Sequence, residues 1–299
     1  MYRAYHAGLI LKVIQAYHQI YPDCKPNVMY SFARRERGYH EAFTRSRNLI
    51  GEQMLDSGTW SLTQNPSKYG RTVTLPNYIS YLSNVSNRPQ QIINFDDDFS
   101  KDGFATNLRN QQILESAGFS PIPVIHDCYN HQEVNHYIDN EYKYIAIGSG
   151  EILYAKMFDL EMIVKKFYRA GIKVHFLGSM DFSRIACLPV YSSDSSSWTQ
   201  VGGKGGIKYW RPEKPGFDKT DNVYFDSYYS LPKIKRKNHY ELYRYRQELE
   251  DYLDLELDMT VEDLTGAKRF FCRRVVNLHY FVQLEKRIRD EHRRRGFSF

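Results

Sequence analysis

The sequence has few cysteines and no long apolar run. Its four cysteines lie far apart along 299 residues, with no C-x-x-C pair. The sequence therefore predicts neither a structural zinc site nor a disulfide framework. No stretch of about 18 apolar residues occurs, and the N-terminus lacks the pattern of a signal peptide. We expect a cytoplasmic protein that does not bind membranes, and we expect no metal or other cofactor.

Apolar and aromatic residues are plentiful, which excludes overall disorder. They make up 42% and 15% of the chain, with 25 Tyr and 17 Phe. The net charge of +6 and the pI of about 8.9 indicate an anionic partner. Basic residues gather in the last third of the chain, where groups of them on helices would neutralise phosphates. The predicted nucleic-acid-binding residues are Lys233, Lys235, Arg236, Lys237, Arg273 and Arg274.

Strand-like and helix-like segments alternate along most of the chain. The predicted strands, each followed by a helix or a helical turn, are 28–32, 53–58, 91–96, 122–126, 144–148, 172–178 and 188–191. An eighth strand has two candidates, 206–210 and 222–225. This alternation predicts an α/β fold, a (β/α)8 TIM-type barrel, over residues 1–232. Residues 233–299 are predicted to be a basic, helical C-terminal extension that is a candidate for nucleic-acid binding.

Residues that carry chemistry fall at the predicted carboxyl ends of the strands, which form one rim in such a barrel. These residues are Asp56, Asp96, His126, Gly148, Gly178 and Asp194. Carboxylates on one rim allow covalent displacement at a sugar carbon, in which one attacks and another moves the leaving group's proton. Two alternatives stay open. Asp97 or Asp98 replaces Asp96 at the pocket, or Asp56 pairs with an arginine near residues 34–37.

Asp194 is the carboxylate best suited to attack. A predicted buried strand, Leu188–Tyr191, runs into it, and serines on both sides supply donors that hold an ionised carboxylate. Trp198 follows closely and would form a flat apolar wall. An acid held in this way serves as a nucleophile. The alternative is that Asp194 only caps the next helix.

Five short segments resemble motifs of the tRNA-guanine transglycosylases, in the same order along the barrel. Leu55-Asp-Ser-Gly58 resembles their Asp-Ser-Gly motif, Asn94-Phe-Asp96 their Phe-Asp strand end, and Ala146-Ile-Gly148 their Ala-Ile-Gly-Gly strand. His175-Phe-Leu-Gly178 and Tyr191-Ser-Ser-Asp-Ser-Ser-Ser-Trp198 are more similar to the DNA-directed branch, the DpdA-type proteins. The resemblance covers roughly residues 27 to 200.

The resemblance implies an enzyme, a glycosyltransferase that exchanges guanine in DNA for a 7-deazaguanine base such as 7-cyano-7-deazaguanine. The exchange would proceed through a covalent Asp–deoxyribose intermediate, in a bacterial or phage-infected cell. The partners implied are DNA and the free 7-deazaguanine base.

Roles for individual residues follow from the same resemblance. Asp194 would be the nucleophile, Asp56 the general acid and base, and Asp96 the acceptor for N–H groups of a guanine-like ring. Gly148 would offer its backbone to the ring edge, since a glycine permits close approach. The other predicted substrate contacts are Ser57, Gly58, His126, Gly178, Ser195 and Trp198. From position and residue type, Trp60 or Tyr30 would stack on the base.

The sequence also departs from the family pattern. Thr59 and Ser149 stand where the family has glycines, and His126 stands where it often has glutamine. The Cys/His zinc cluster of the tRNA enzymes is absent, which favours DNA over tRNA. The alternatives are base exchange on tRNA, a non-catalytic barrel that binds nucleic acid, and a glycoside hydrolase. The incoming base, the sequence context, the oligomeric state and the need for an accessory protein stay open.

Overall fold

A computed structural model describes residues 1–8, 10–100, 102–226 and 237–299. They form two compact units, whereas the sequence predicted one division at residue 232. The first unit comprises Met1–Leu9, Lys25–Ser195 and Ile288–Phe299, and the second comprises Ile10–Cys24 and Ser196–Arg287.

Eight parallel strands make up the sheet of the first unit. In chain order they are β1 (Arg3–Ala7), β2 (Asn27–Ser31), β3 (Gln53–Asp56), β4 (Gln91–Ile92), β5 (Val124–Ile125), β6 (Tyr144–Ile147), β7 (Lys173–Phe176) and β8 (Ser192–Ser195). The order across the sheet is β4-β3-β2-β1-β8-β7-β6-β5. Its two ends join, because the Ile122 N–H donates to the Ile92 carbonyl at 2.8 Å and the Asn94 N–H donates to the Ile122 carbonyl at 2.9 Å. The fold is a (β/α)8 TIM-type barrel, as predicted.

Two strand predictions were wrong, both in the region where the first and last strands of the barrel pair. The eighth strand is β1, which pairs with β2 and β8. The two candidates proposed for it belong to an antiparallel pair in the second unit, β9 (Gly206–Trp210) and β10 (Thr220–Tyr224). The predicted strand 188–191 lies too early, because the residues that pair with β1 and β7 are those of β8. Asp194 is therefore inside a strand rather than after one.

Helices connect the strands and form the rest of both units. They are α1 (Leu11–Ile20), α2 (Tyr39–Arg45), α3 (Thr59–Gln64), α4 (Pro66–Tyr69), α5 (Leu75–Asn84), α6 (Phe104–Ser116), α7 (His131–Asp139), α8 (Ser149–Tyr154), α9 (Met157–Arg169), α10 (Phe182–Ile185), α11 (Ser197–Gly203), α12 (Arg246–Leu257), α13 (Val261–Thr265) and α14 (Arg269–Arg294). Short 3₁₀ turns occur at Phe32–Arg37, Arg47–Leu49 and Tyr240–Leu242. Helix α9 shows why these segments fold as they do: Leu160, Val164 and Phe167 repeat at helical spacing and are all buried.

The barrel interior contains an apolar cluster. A buried cluster consists of Tyr5, Met29, Met54, Ile93, Ile122, Val124 and Ala146. Side chains of a strand alternate between its two faces, so a residue two positions further along points the same way. Asp56 is two positions after Met54, and Asp194 is directly opposite Tyr5 in the pairing of β8 with β1. Both carboxylates are thus carried on the interior side, towards the rim.

The second unit has its own core. Strands β9 and β10 pair in it, and α12 buries Leu249, Leu253 and Leu257. The Tyr209 and Tyr243 hydroxyls hydrogen-bond at 2.7 Å within this unit.

Candidate active site at the barrel rim

Asp194 is a buried carboxylate with two donors on one oxygen. Its Oδ1 accepts the Gly178 backbone N–H at 2.7 Å and lies 3.3 Å from His175 Nε2. Gly178 has a φ of +67°, which favours glycine, and this conformation directs its N–H towards the carboxylate. Asp194 is 6% exposed. A carboxylate with such donors is stabilised as the anion and held in one orientation.

His175 continues a line of polar contacts away from Asp194. Its Nδ1 lies 2.6 Å from the Ser192 hydroxyl, and that hydroxyl also contacts the Tyr144 hydroxyl. His175 and Ser192 have no exposed surface. Buried polar groups are costly unless they are hydrogen-bonded, so this line is a connected network inside the barrel.

Asp56 is the second carboxylate of the rim. Burial raises the pKa of Asp56 to about 6, and the negative charge of Asp194 adds to this rise. The nearby Ser31 hydroxyl and Gly58 N–H oppose the rise, as does the Arg34 charge. The charge of Asp194 therefore acts on Asp56, and Asp56 retains its proton closer to neutral pH than an ordinary aspartate does.

Asp96 is the third carboxylate, and each of its oxygens has a polar neighbour. The Asn94 amide donates to Oδ1 at 2.5 Å, and Oδ2 lies 3.3 Å from His126 Nε2. Burial opposes protonation of His126, but the contact with Asp96 outweighs it, with help from the Glu133 charge, so the pKa of His126 is raised. Asp97, by contrast, is exposed and accepts from Asn110. Asp96 is thus the buried member of its acidic run.

Glu133 lies behind the His126 segment. It is 3% exposed, its carboxylate accepts the His126 N–H at 3.4 Å, and the Asp127 N–H lies nearby. Burial raises the pKa of Glu133 to about 7, although those N–H groups and the His126 charge oppose the rise. Deprotonation of Glu133 near neutral pH is therefore unfavourable for the folded chain.

We expect Glu133→Gln to remove a pH-dependent loss of stability. The pKa of Glu133 is about 7 in the folded chain and 4.5 in the unfolded chain. The stability that protonated Glu133 contributes is therefore fully present below pH 4.5 and is lost as the pH rises through 7. The advantage of the variant in free energy of unfolding should grow by roughly 2–3 kcal/mol between pH 4.5 and 8, at 1.36 kcal/mol per pKa unit. Urea unfolding at both pH values measures it. Glu213→Gln, at an exposed position, should show no such growth, and a pH-independent difference for Glu133→Gln would contradict the argument.

Aromatic side chains lie beside Asp96 and His126. The Phe99 ring meets the His126 ring edge-on at 5.2 Å, and Trp60 meets Phe99 at 5.8 Å. Trp60 is 60% exposed and Phe99 is 37% exposed, so both offer surface to a ligand. Tyr30, the other predicted stacking residue, is 4% exposed and offers almost none.

The structure brings most of the predicted substrate contacts to the same unit. Gly148 is the residue directly after β6, and a Cβ at this position would lie 3.4 Å from His126 Nδ1. Gly58 has a φ of +83°, and a Cβ there would lie 2.6 Å from that of Ala33, so a larger residue does not fit. Ser57 and Ser195 are buried.

The other predicted contacts lie in the second unit or outside the described residues. Trp198 is in α11 and has no exposed surface, so it cannot present a face to a ligand as predicted. Arg273 is 1% exposed, ion-paired with Asp226 at 2.7 Å and bonded to the Leu264 carbonyl, so it is not available to a phosphate. Arg274 is half-buried against Gly202 and Gly203. Lys237 is exposed, and Lys233, Lys235 and Arg236 lie outside the described residues.

Sequence reasoning missed several residues that contact the three acids or the side chains around them. They are Ser31, Asn94, Phe99, Tyr144, His175 and Ser192. For two of them a signal existed, since Asn94 precedes Asp96 by two positions and Ser192 precedes Asp194 by two, which places each pair on one face of an extended chain.

No family model matches the chain, and no curated protein matches it. Within the described ranges, no three His, Cys, Asp or Glu side chains come together as ligands for a metal ion. None of the helices in those ranges is long and apolar enough to cross a membrane.

Proposed function

We propose that this protein is a DNA-guanine transglycosylase. The observation that carries the proposal is a pair of carboxylates in different surroundings on one barrel rim. Asp194 Oδ1 accepts the Gly178 N–H and lies 3.3 Å from His175 Nε2, whereas burial and the charge of Asp194 raise the pKa of Asp56 to about 6. Two such acids divide the roles of nucleophile and proton donor.

In the first half-reaction, an Asp194 oxygen attacks C1′ of the deoxyribose. The bond between C1′ and the guanine nitrogen breaks, and its electron pair goes to the departing base. Asp56 gives its proton to that base. The products are a neutral guanine, a sugar ester of Asp194 and an Asp56 carboxylate.

In the second half-reaction, the incoming 7-deazaguanine loses its ring N–H proton to the Asp56 carboxylate. The freed nitrogen pair attacks C1′, and the ester bond to Asp194 breaks with its electrons returning to the carboxylate. Both acids regain their starting protonation, and no cofactor is consumed.

Recognition of the base rests on Asp96. Its oxygens are oriented by Asn94 and by His126, and it remains an acceptor for the adjacent N–H groups of guanine. Because guanine and a 7-deazaguanine share that edge, one site serves for both the leaving and the entering base. Adenine lacks these donors and would leave the buried carboxylate unpaired, which is costly.

DNA is proposed as the polymer because of the likeness of two segments, His175–Gly178 and Tyr191–Trp198, to the DNA-directed branch. The exposed rings of Trp60 and Phe99 support the proposal, since a base taken out of the duplex needs a flat surface to stack on.

The test is mass spectrometry of nucleosides from duplex DNA or tRNA incubated with the protein, with and without 7-cyano-7-deazaguanine. We expect the deazaguanine deoxynucleoside only from DNA supplied with the base. Incorporation into tRNA alone would favour the RNA enzyme, and guanine release without an added base would favour a hydrolase. Binding without either product would favour a non-catalytic barrel.

We expect Trp60→Ala to weaken DNA binding about 10-fold, because stacking of one base contributes roughly 1–3 kcal/mol. Fluorescence anisotropy with a labelled duplex measures the dissociation constant. Phe158→Ala is the matched control, since Phe158 is 69% exposed and lies on α9 rather than beside the Phe99 and His126 rings. Equal loss in both variants would argue against stacking at Trp60.

A further inference from the structure

We propose that His175 positions the nucleophile, Asp194. In this proposal Ser192 and Tyr144 fix the tautomer of the His175 ring, so that its Nε2–H donates to Asp194. This inference rests on the proposed function, because it assigns His175 to the reaction of the Asp194 carboxylate. It concerns a histidine that does not reach the substrate and acts only through another residue.

The contacts around His175 leave the ring little freedom. Nε2 faces Asp194 Oδ1 at 3.3 Å, and Nδ1 faces the Ser192 hydroxyl at 2.6 Å. The ring has no exposed surface, and the rings of Tyr5 and Tyr144 meet it edge-on at 6.0 and 6.5 Å. A histidine with both nitrogens bonded and its faces packed keeps a single orientation.

The direction of the hydrogen bonds follows from Asp194. An ionised carboxylate only accepts, so Nε2 carries a hydrogen as long as the ring faces Asp194, and the Ser192 hydroxyl at Nδ1 keeps the ring in that orientation. In a neutral imidazole Nδ1 is then an acceptor, and the Ser192 hydroxyl donates to it. The Ser192 oxygen in turn accepts from the Tyr144 hydroxyl. Tyr144, Ser192 and His175 thus each have a hydrogen-bond partner while the His175 ring is neutral.

The arrangement distinguishes the two oxygens of Asp194. Both donors, Gly178 N–H and His175, end on Oδ1. Within the part of the chain that the structure describes, no donor reaches Oδ2. We therefore assign Oδ2 as the oxygen that attacks C1′, while Oδ1 holds the carboxylate in place.

Strand β8 offers a matched control for Ser192, the adjacent Ser193. Ser192 and Ser193 are adjacent, both have no exposed surface, and each contacts a tyrosine hydroxyl, Ser192 that of Tyr144 and Ser193 that of Tyr2 at 2.6 Å. Because successive strand residues point to opposite faces, only Ser192 belongs to the line that ends at Asp194.

The kinetic test compares these variants in base exchange on DNA. We expect His175→Ala to lower kcat about 100-fold with KM for DNA little changed, and Ser192→Ala or Tyr144→Phe to lower kcat about 10-fold. His175→Gln, whose amide can donate from a similar position, should recover about 10-fold over His175→Ala. Ser193→Ala and Tyr2→Phe should keep kcat within about two-fold. Equal losses in the Ser193 and Ser192 variants would overturn the proposal.

The structural test reads the tautomer of His175 in the free protein by ¹⁵N NMR. We expect the hydrogen on Nε2 in the wild type and in Ser193→Ala, and a mixture of tautomers in Ser192→Ala. A hydrogen on Nδ1 in the wild type would overturn the proposal. This readout needs no turnover, so a wild type that exchanges no base but shows the Nε2–H tautomer would refute the proposed function and leave the hydrogen-bond line standing.

Discussion

Asp194→Asn is expected to abolish base exchange, with kcat reduced at least about 10⁴-fold, because an amide oxygen does not form the sugar ester. DNA binding should survive, since the side chain is 6% exposed and the replacement keeps its shape. Two measurements check this. Nucleoside mass spectrometry follows exchange, and intact-protein mass spectrometry after an acid quench follows the adduct of wild-type protein with DNA.

Asp97→Asn is the matched control for that result. Asp97 belongs to the same rim but is exposed, so its replacement should leave both exchange and the adduct in place. Exchange by Asp194→Asn at more than about one hundredth of the wild-type rate would show that another group attacks the sugar.

The barrel could be predicted from the sequence because most of its strands are short apolar runs that end at an acid or a glycine. Strand β1 could not, since its five residues, Arg-Ala-Tyr-His-Ala, contain no Val or Ile and form a strand only by pairing with β2 and β8. Strand β8 consists of Ser-Ser-Asp-Ser and owes its form to the same pairing. Tertiary hydrogen bonds outweigh local propensity in both.

Within the site, the sequence identified the residues that end strands and missed those that support them. Asp56 and Asp96 follow apolar runs and were found. His175 was noted only as part of a motif, because its role depends on Ser192, 17 residues later, and on Tyr144, which comes from another strand. Such contacts arise from the pairing of neighbouring strands and leave no periodic signal.

The charge pattern was less informative than the hydrophobic pattern. Arg273 belongs to a basic stretch, yet it is buried in an ion pair with Asp226, 47 residues away. A run of charges predicts a nucleic-acid surface only when each member is exposed, and exposure is a tertiary property.

The effect of Asp194 on the pKa of Asp56 changes during the proposed reaction. While Asp194 is an anion, its charge adds to the effect of burial in raising the pKa of Asp56. Once Asp194 becomes a sugar ester, that charge is gone and Asp56 loses a proton more readily. Asp56 is therefore a ready acid in the first half-reaction and an ionised base when the second begins.

Asp56→Asn is expected to lower kcat for exchange by about 10²- to 10⁴-fold, the usual contribution of a positioned acid and base. In the wild type, kcat/KM for DNA at saturating incoming base should fall as the pH rises above about 6, because Asp56 must be protonated when guanine leaves. The variant should lack that falling limb.

A ¹³C NMR titration of the free protein isolates the electrostatic part of this argument. The pKa of Asp56, about 6 in the wild type, should be lower in Asp194→Asn because one negative charge is removed while burial is unchanged. Asp97→Asn is again the control and should leave the pKa of Asp56 unchanged, since Asp97 is exposed and is not among the groups that shift this pKa. An unchanged pKa in Asp194→Asn would show that the two carboxylates are not coupled, and a falling limb retained in Asp56→Asn would assign the proton transfer to a different group.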